Sequence, residues 1–176
     1  MPYDAKAIAN YFLELAERDD KEISPLKLQK LVYFAHGWHL AIKGQPLLTD
    51  RIEAWEWGPV IPDLYHDLKE FGNGPIKRRI LEAIHSGETR FTIVVPTIDR
   101  YPDSEANAFT KQLLERIWQV YGKFTAIQLS NMTHEDGSPW DRTRREHGPR
   151  KNTDIPDEWI KEDFLMKAQA HESSAR

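Results

Sequence analysis

The 176-residue sequence contains no cysteine. Disulfides, thiolate metal ligation and a cysteine nucleophile are therefore excluded, and a reducing compartment fits. No apolar run approaches the roughly 18 residues that a bilayer-spanning helix needs. Met1-Pro2-Tyr3-Asp4 has neither the basic stretch nor the apolar core of a secretory signal, so the expected location is the cytoplasm, with no membrane partner. Positive charge is not in excess: 24 Lys and Arg against 28 Asp and Glu give a net charge of −4. That balance argues against a general binder of nucleic-acid backbone. Phosphate loops are missing as well. Gly72-Asn73-Gly74 lacks the following glycine and lysine of a P-loop, and there is no G-x-S-x-G elbow. Ser24 and Ser130 read as a helix cap and a helix-surface residue rather than nucleophiles.

What is present describes an ordinary globular chain, 40% hydrophobic and 30% charged, long enough for one domain with a short appendage. Ala5, Ile8, Phe12, Leu15 and Ala16 recur at helical spacing behind an Asp4 cap. Ser24-Pro25 starts a second helix, apolar over a wide arc, which is expected to be central, to bury Leu31 and Trp38, and to end at Gly44. Residues 52–57 alternate as a short strand ended by Gly58-Pro59, with Trp55 and Trp57 on the face opposite Ala54. A short helix over 61–71 follows, and 76–86 is ambiguous. Residues 89–98 are rich in β-branched side chains and read as a strand that can pair with 52–57. Ser104 and Thr125 are caps of two further helices, 136–139 is a turn, and Pro156 opens a last helix that frays after Ala170. The expected fold is mainly α: a single helical domain with a small inserted β element, α+β in a strict count. The division is a domain over 1–150 and a C-terminal helix and tail over 151–176.

Few residues carry chemistry. His36 and His39 lie three apart on one helix and could share a metal with His66 or Glu53, but the helix lacks the glutamate of H-E-x-x-H. Structural histidines are the competing reading, and neither metal nor cofactor is expected. Glu53 and Glu56, at odd separation on a strand, point to opposite faces and do not form a catalytic carboxylate pair. Lys77-Arg78-Arg79 and the run Arg142, Arg144, Arg145, Arg150, Lys151 are solvated surface, or contacts to nucleic acid or an acidic partner. Six tryptophans are many for this length and fit a core or a binding surface. Glu56-Trp57-Gly58-Pro59 gives a rigid turn beside a large ring. Trp57 is then either a core residue or a partner anchor, with Lys30 and Tyr33 near it on the central helix. With no catalytic set visible, a binding protein is favoured over an enzyme.

Three ordered stretches resemble one family. Leu26-Lys27-Leu28-Gln29-Lys30-Leu31-Val32-Tyr33-Phe34-Ala35-His36-Gly37-Trp38-His39-Leu40 comes first. Glu53-Ala54-Trp55-Glu56-Trp57-Gly58-Pro59-Val60-Ile61-Pro62 with Leu64-Tyr65 comes second. Leu129-Ser130-Asn131-Met132-Thr133-His134 with Ser138-Pro139-Trp140 comes third. Together they resemble the Panacea domain of the SocA-like antitoxin family. The resemblance implies a mainly helical fold and an antitoxin of a toxin–antitoxin system. Such a protein neutralises an adjacently encoded toxin by direct binding, and in one branch acts as an adaptor for a protease. It also implies prophage association. Some members carry an added DNA-binding domain, which is not expected here because the signature begins close to Met1. The candidate partner-binding residues are Lys30, Tyr33, His36, Trp57, Gly58, Pro59, Tyr65, Thr133, His134 and Trp140. The rival readings are a metal-dependent or hydrolytic enzyme using His36, His39, Glu53 and His134, and a DNA-binding autoregulator using the basic stretches.

Overall fold

A computed structural model describes residues 1–85, 90–149 and 152–174. In chain order these form α1 (Ala5–Arg18), α2 (Pro25–Lys43), β1 (Glu53–Trp55), β2 (Gly58–Val60), α3 (Pro62–Leu68), β3 (Glu82–His85), β4 (Phe91–Val94), α4 (Ser104–Tyr121), α5 (Ala126–Thr133), α6 (Pro139–His147) and α7 (Asp157–Ser174). Short 3-10 turns follow α3 and β4. The fold is mainly α with two small antiparallel sheets. No helix among the described residues is long and apolar enough to cross a membrane.

The caps explain the first two helices. Asp4 accepts from the Lys6 N–H, Ser24 accepts from the Lys27 N–H, and Gly44 closes α2 at φ 71°. As expected of a helix apolar over most of its girth, α2 is central, packing on α1, α3, α4, α5, α7 and β2. Leu31 is fully buried. Trp38 is only half-buried: its Nε1 donates to the Tyr121 hydroxyl at 3.0 Å and its ring meets Phe164 edge-on. At Gly37 a β-carbon would run into the Phe164 ring, so glycine there sets the approach of α7.

Several expectations are corrected. Gly58-Pro59 does not end the strand element. It begins β2, which folds back on β1 with Glu53 opposite Val60, Ala54 opposite Pro59 and Trp55 opposite Gly58. Residues 91–94 pair with 82–85 rather than with 52–57, which resolves the ambiguous segment as coil leading into β3. Thr89, where that strand was expected to start, and Ser86 lie outside the described residues. Asp103, not Ser104, caps α4, whereas Thr125 makes a full capping box with Gln128. α6 was unforeseen, although Ser138-Pro139 repeats the start signal of α2. The final helix runs on to Ser174. The segment before it joins the first sheet: the Ala54 N–H donates to Thr153 O and the Ile155 N–H to Ile52 O.

Candidate functional site

The β1–β2 hairpin is the place where the three sequence motifs converge. Two-stranded sheets are marginal alone, and this one is held by side chains that bond its backbone carbonyls. Trp140 Nε1 donates to Trp55 O at 2.6 Å, Ser130 Oγ to Trp57 O at 2.7 Å, and Lys30 Nζ to Pro59 O at 2.9 Å. Gln29 closes a reciprocal pair with the Ile61 backbone, its Nε2 donating to O at 3.0 Å and its Oε1 accepting from N–H at 2.9 Å. Arg144 reaches Ala54 O at 3.4 Å. A second tier supports these donors. Thr133 Oγ1 donates to Ser130 O, and Ser138 Oγ donates to Thr133 O while capping α6. The His134 ring stacks on Trp140 at 4.0 Å.

Gly58 is required twice over. Its φ of 102° suits glycine, and a β-carbon there would stand 2.6 Å from Thr133 Oγ1 and 2.7 Å from Lys30 Nζ. Pro59 is tolerated because it faces Ala54 in a pair that exchanges no ladder bonds. The Ala54 N–H already points the other way, to Thr153 O.

The candidate residues divide into a buried inner set and an outer one. Lys30, Tyr33, His36, Gly58, Pro59 and Thr133 are buried; His134 and Trp140 are half-buried. Trp57 is 66% exposed and Tyr65 is 39% exposed, and Glu56 shares that exposure at the turn. The core reading of Trp57 therefore fails. The expectation that Lys30 and Tyr33 lie on the surface beside it fails too. Lys30 points inward, and Tyr33 packs against Phe34 and Phe164. His36 Nε2 meets Asp157 Oδ1 at 2.9 Å, tying α2 to the start of α7. Ser130, expected on the helix surface, is buried. Sequence reading also missed Gln29 and Arg144 as donors to the hairpin, which no periodicity reveals.

Burial governs the electrostatics. It pushes the Lys30 ammonium down to about 7. Lys30 makes no ion pair among the described residues. His134 is lowered by burial, then by the nearby charges of Lys30 and Arg144. Glu53 is fully buried, accepts from Trp55 Nε1 at 2.7 Å, and has Arg51 Nε 3.1 Å from its other oxygen. That second contact is an ion pair without hydrogen-bond alignment. The Trp55 ring meets Tyr65 edge-on at 4.9 Å, linking the hairpin to α3.

The residues of the enzyme reading do not gather. His36 is committed to Asp157, His39 Nδ1 to Gln45 O, Glu53 to Trp55 and Arg51, and His134 to Trp140. No cluster of three or more metal-ligating side chains occurs among the described residues. Much of the second basic stretch is engaged within the chain. Arg142 lies 3.8 Å over Trp159, Arg144 contacts Ala54 O, and Arg145 pairs with Asp136 and Asp141. Arg150 and Lys151 lie outside the described residues.

Comparison with known proteins agrees with this geometry. The profile of the family described as antitoxin SocA-like, Panacea domain, matches residues 28–141, from within α2 into α6. Antitoxin SocA of Caulobacter vibrioides (strain NA1000 / CB15N) is 38% identical over 143 residues, which cover 78% of this chain and 69% of that protein. No solved structure matches the chain. Apart from Arg144, the side chains that seat the hairpin are those of the motifs, and the chain belongs to the SocA-like antitoxin family, as a Panacea-domain protein.

Proposed function

We propose that this protein neutralises a cognate toxin in the cytoplasm by direct binding, with the hairpin tip as its anchor. Membership of an antitoxin family supports an antitoxin role. The observation that carries the finer reading is Trp57. A large ring stands 66% exposed at the turn of a hairpin whose carbonyls on either side are taken by α2, α5 and α6. An aromatic carried on a backbone already held in place leaves less to be ordered on association, and a few such residues can dominate an interface. Tyr65, also exposed, meets Trp55 of the same hairpin edge-on, and Glu56 adds an exposed charge next to Trp57. Lys30, Thr133, His134 and Trp140 act through the hairpin, as positioning residues.

The test is a pair of measurements on Trp57→Ala. Its thermal melt should match that of the wild type, since the residue is 66% exposed. Co-expression should no longer rescue cells from the toxin encoded beside it. A folded variant that rescues fully would remove the hairpin tip from the interface. Toxin half-life in the same cells separates delivery to a protease, which shortens it, from simple blocking, which does not.

A further inference from the structure

A recess remote from the hairpin combines an apolar floor with a basic rim. It lies where the end of α1, the α1–α2 turn and residues 76–79 meet, and its volume is about 350 Å³. That is near the lower end of ligand pockets, roughly 300–1,000 Å³. The floor is the half-buried Ile76 with the edges of Leu13, Ala16 and Ile23, each at most 6% exposed. The Ile76 N–H donates to Ile23 O at 2.9 Å, fixing one wall to the other. The rim carries Lys21, Lys77, Arg78 and Arg79 against a single carboxylate, Glu17. Arg79 pairs with Glu17, and Arg78 pairs with Glu70 while lying 5.3 Å over Phe71. Lys21 and Lys77 make no ion pair among the described residues. Even with Glu70 counted, four cations face two carboxylates, in a chain whose net charge is −4.

We propose that this recess is a second docking site, which takes an acidic segment of a partner protein with one large apolar side chain. The apolar side chain would rest on the floor, and its flanking carboxylates would meet Lys21 and Lys77. The two arginines, already paired with Glu70 and Glu17, frame the site, and its net positive charge is that of the two lysines. A peptide fits better than nucleic acid. A phosphate backbone calls for a longer basic track than one recess supplies, and it has no use for an apolar floor. None of these residues belongs to the hairpin or to the side chains that hold it, so the site stands or falls independently of the toxin-binding reading.

A fluorescein-labelled peptide with one leucine flanked on each side by three Asp or Glu residues would be titrated with the full chain and read by anisotropy. Expected is saturable binding that weakens with salt. Replacing the peptide's leucine by alanine should weaken it at least about tenfold, as should the double variant Lys21→Glu, Lys77→Glu. Both lysines are exposed, so that variant should melt like the wild type. An oligothymidylate of equal charge should bind more weakly than the leucine peptide. Absence of binding at millimolar protein, equal binding of the alanine peptide, an unaffected double variant, or tighter binding of the oligothymidylate would each overturn the proposal.

Discussion

Both sheets among the described residues are two-stranded and antiparallel, and they are supported in opposite ways. In β1–β2 the carbonyls at 54, 55, 57 and 59 are met by side chains from α2, α5 and α6, and a third segment pairs along β1. In β3–β4 one face leaves Leu81, Phe91, Ile93 and Val95 exposed. That hairpin is gripped at its feet, where buried Asn10 donates to Ile80 O and Pro96 O and accepts from the Ile80 N–H. A two-stranded sheet contributes little stability of its own, so its rigidity is set by what holds it. The first hairpin is held along its length and can present an ordered side chain. The second is fastened at its base by Asn10 and leaves one face open.

The largest effect should come from crowding the held hairpin. Gly58→Ala combines an unfavourable φ with a clash against Thr133 and Lys30, and should cost about 3 kcal/mol or more. Chemical denaturation reads it directly, and a loss under 1 kcal/mol would mean that the hairpin shifts freely on its supports. Next is the foot of the second hairpin. Asn10→Ala strands three buried backbone groups and should cost about 2–3 kcal/mol. Hydrogen exchange should then quicken over 82–94 while the amides of 53–60 keep their protection. Equal loosening of both hairpins would collapse the distinction between them.

Lys30 gives a smaller and pH-dependent signature. Its folded pKa, about 7, lies below the ordinary value of 10.5, so folding releases a proton between those limits. Stability must then rise as pH climbs through that window, by at most about 1.4 kcal/mol per pH unit. Below about 7 the charged, buried form leaves the protein at its least favourable. The slope should vanish in Lys30→Met, and parallel curves for the two proteins would show that Lys30 is solvated. Smallest of all is Ile93→Ala on the second hairpin, 61% exposed, which should change stability by no more than about 0.5 kcal/mol.

Much of the helical frame is legible in the sequence, because caps and apolar periodicity are local. Asp4, Ser24-Pro25, Gly44 and Thr125 each mark an end that the structure places at the same residue. α6 escaped because Pro139–His147 is almost wholly polar, and its start signal had no apolar stripe behind it. The strand pairing went wrong at Pro59. Proline reads as a strand terminator unless its partner's N–H is known to bond elsewhere, and here that bond goes to Thr153, far along the chain. The exposure of Trp57 is not legible in the alternation, which suits a core ring and a presented ring equally: Glu53 and Ala54, on opposite faces, are both buried. Nor is the inward turn of Lys30 legible, since lysine is seldom fully buried. Side chains reaching carbonyls tens of residues away, as Ser130 and Arg144 do, leave no period in a sequence.

The central claim is that the motifs hold one hairpin so that its tip can bind. Calorimetric titration of the toxin against Trp57→Ala and Phe91→Ala tests it most directly, since both remove an exposed ring, at 66% and 62% exposure, one from each hairpin. Trp57→Ala should weaken binding by about 30-fold or more, the size of a hot-spot contact, and Phe91→Ala should leave affinity within about twofold. Wild-type affinity in a folded Trp57→Ala variant would contradict the account.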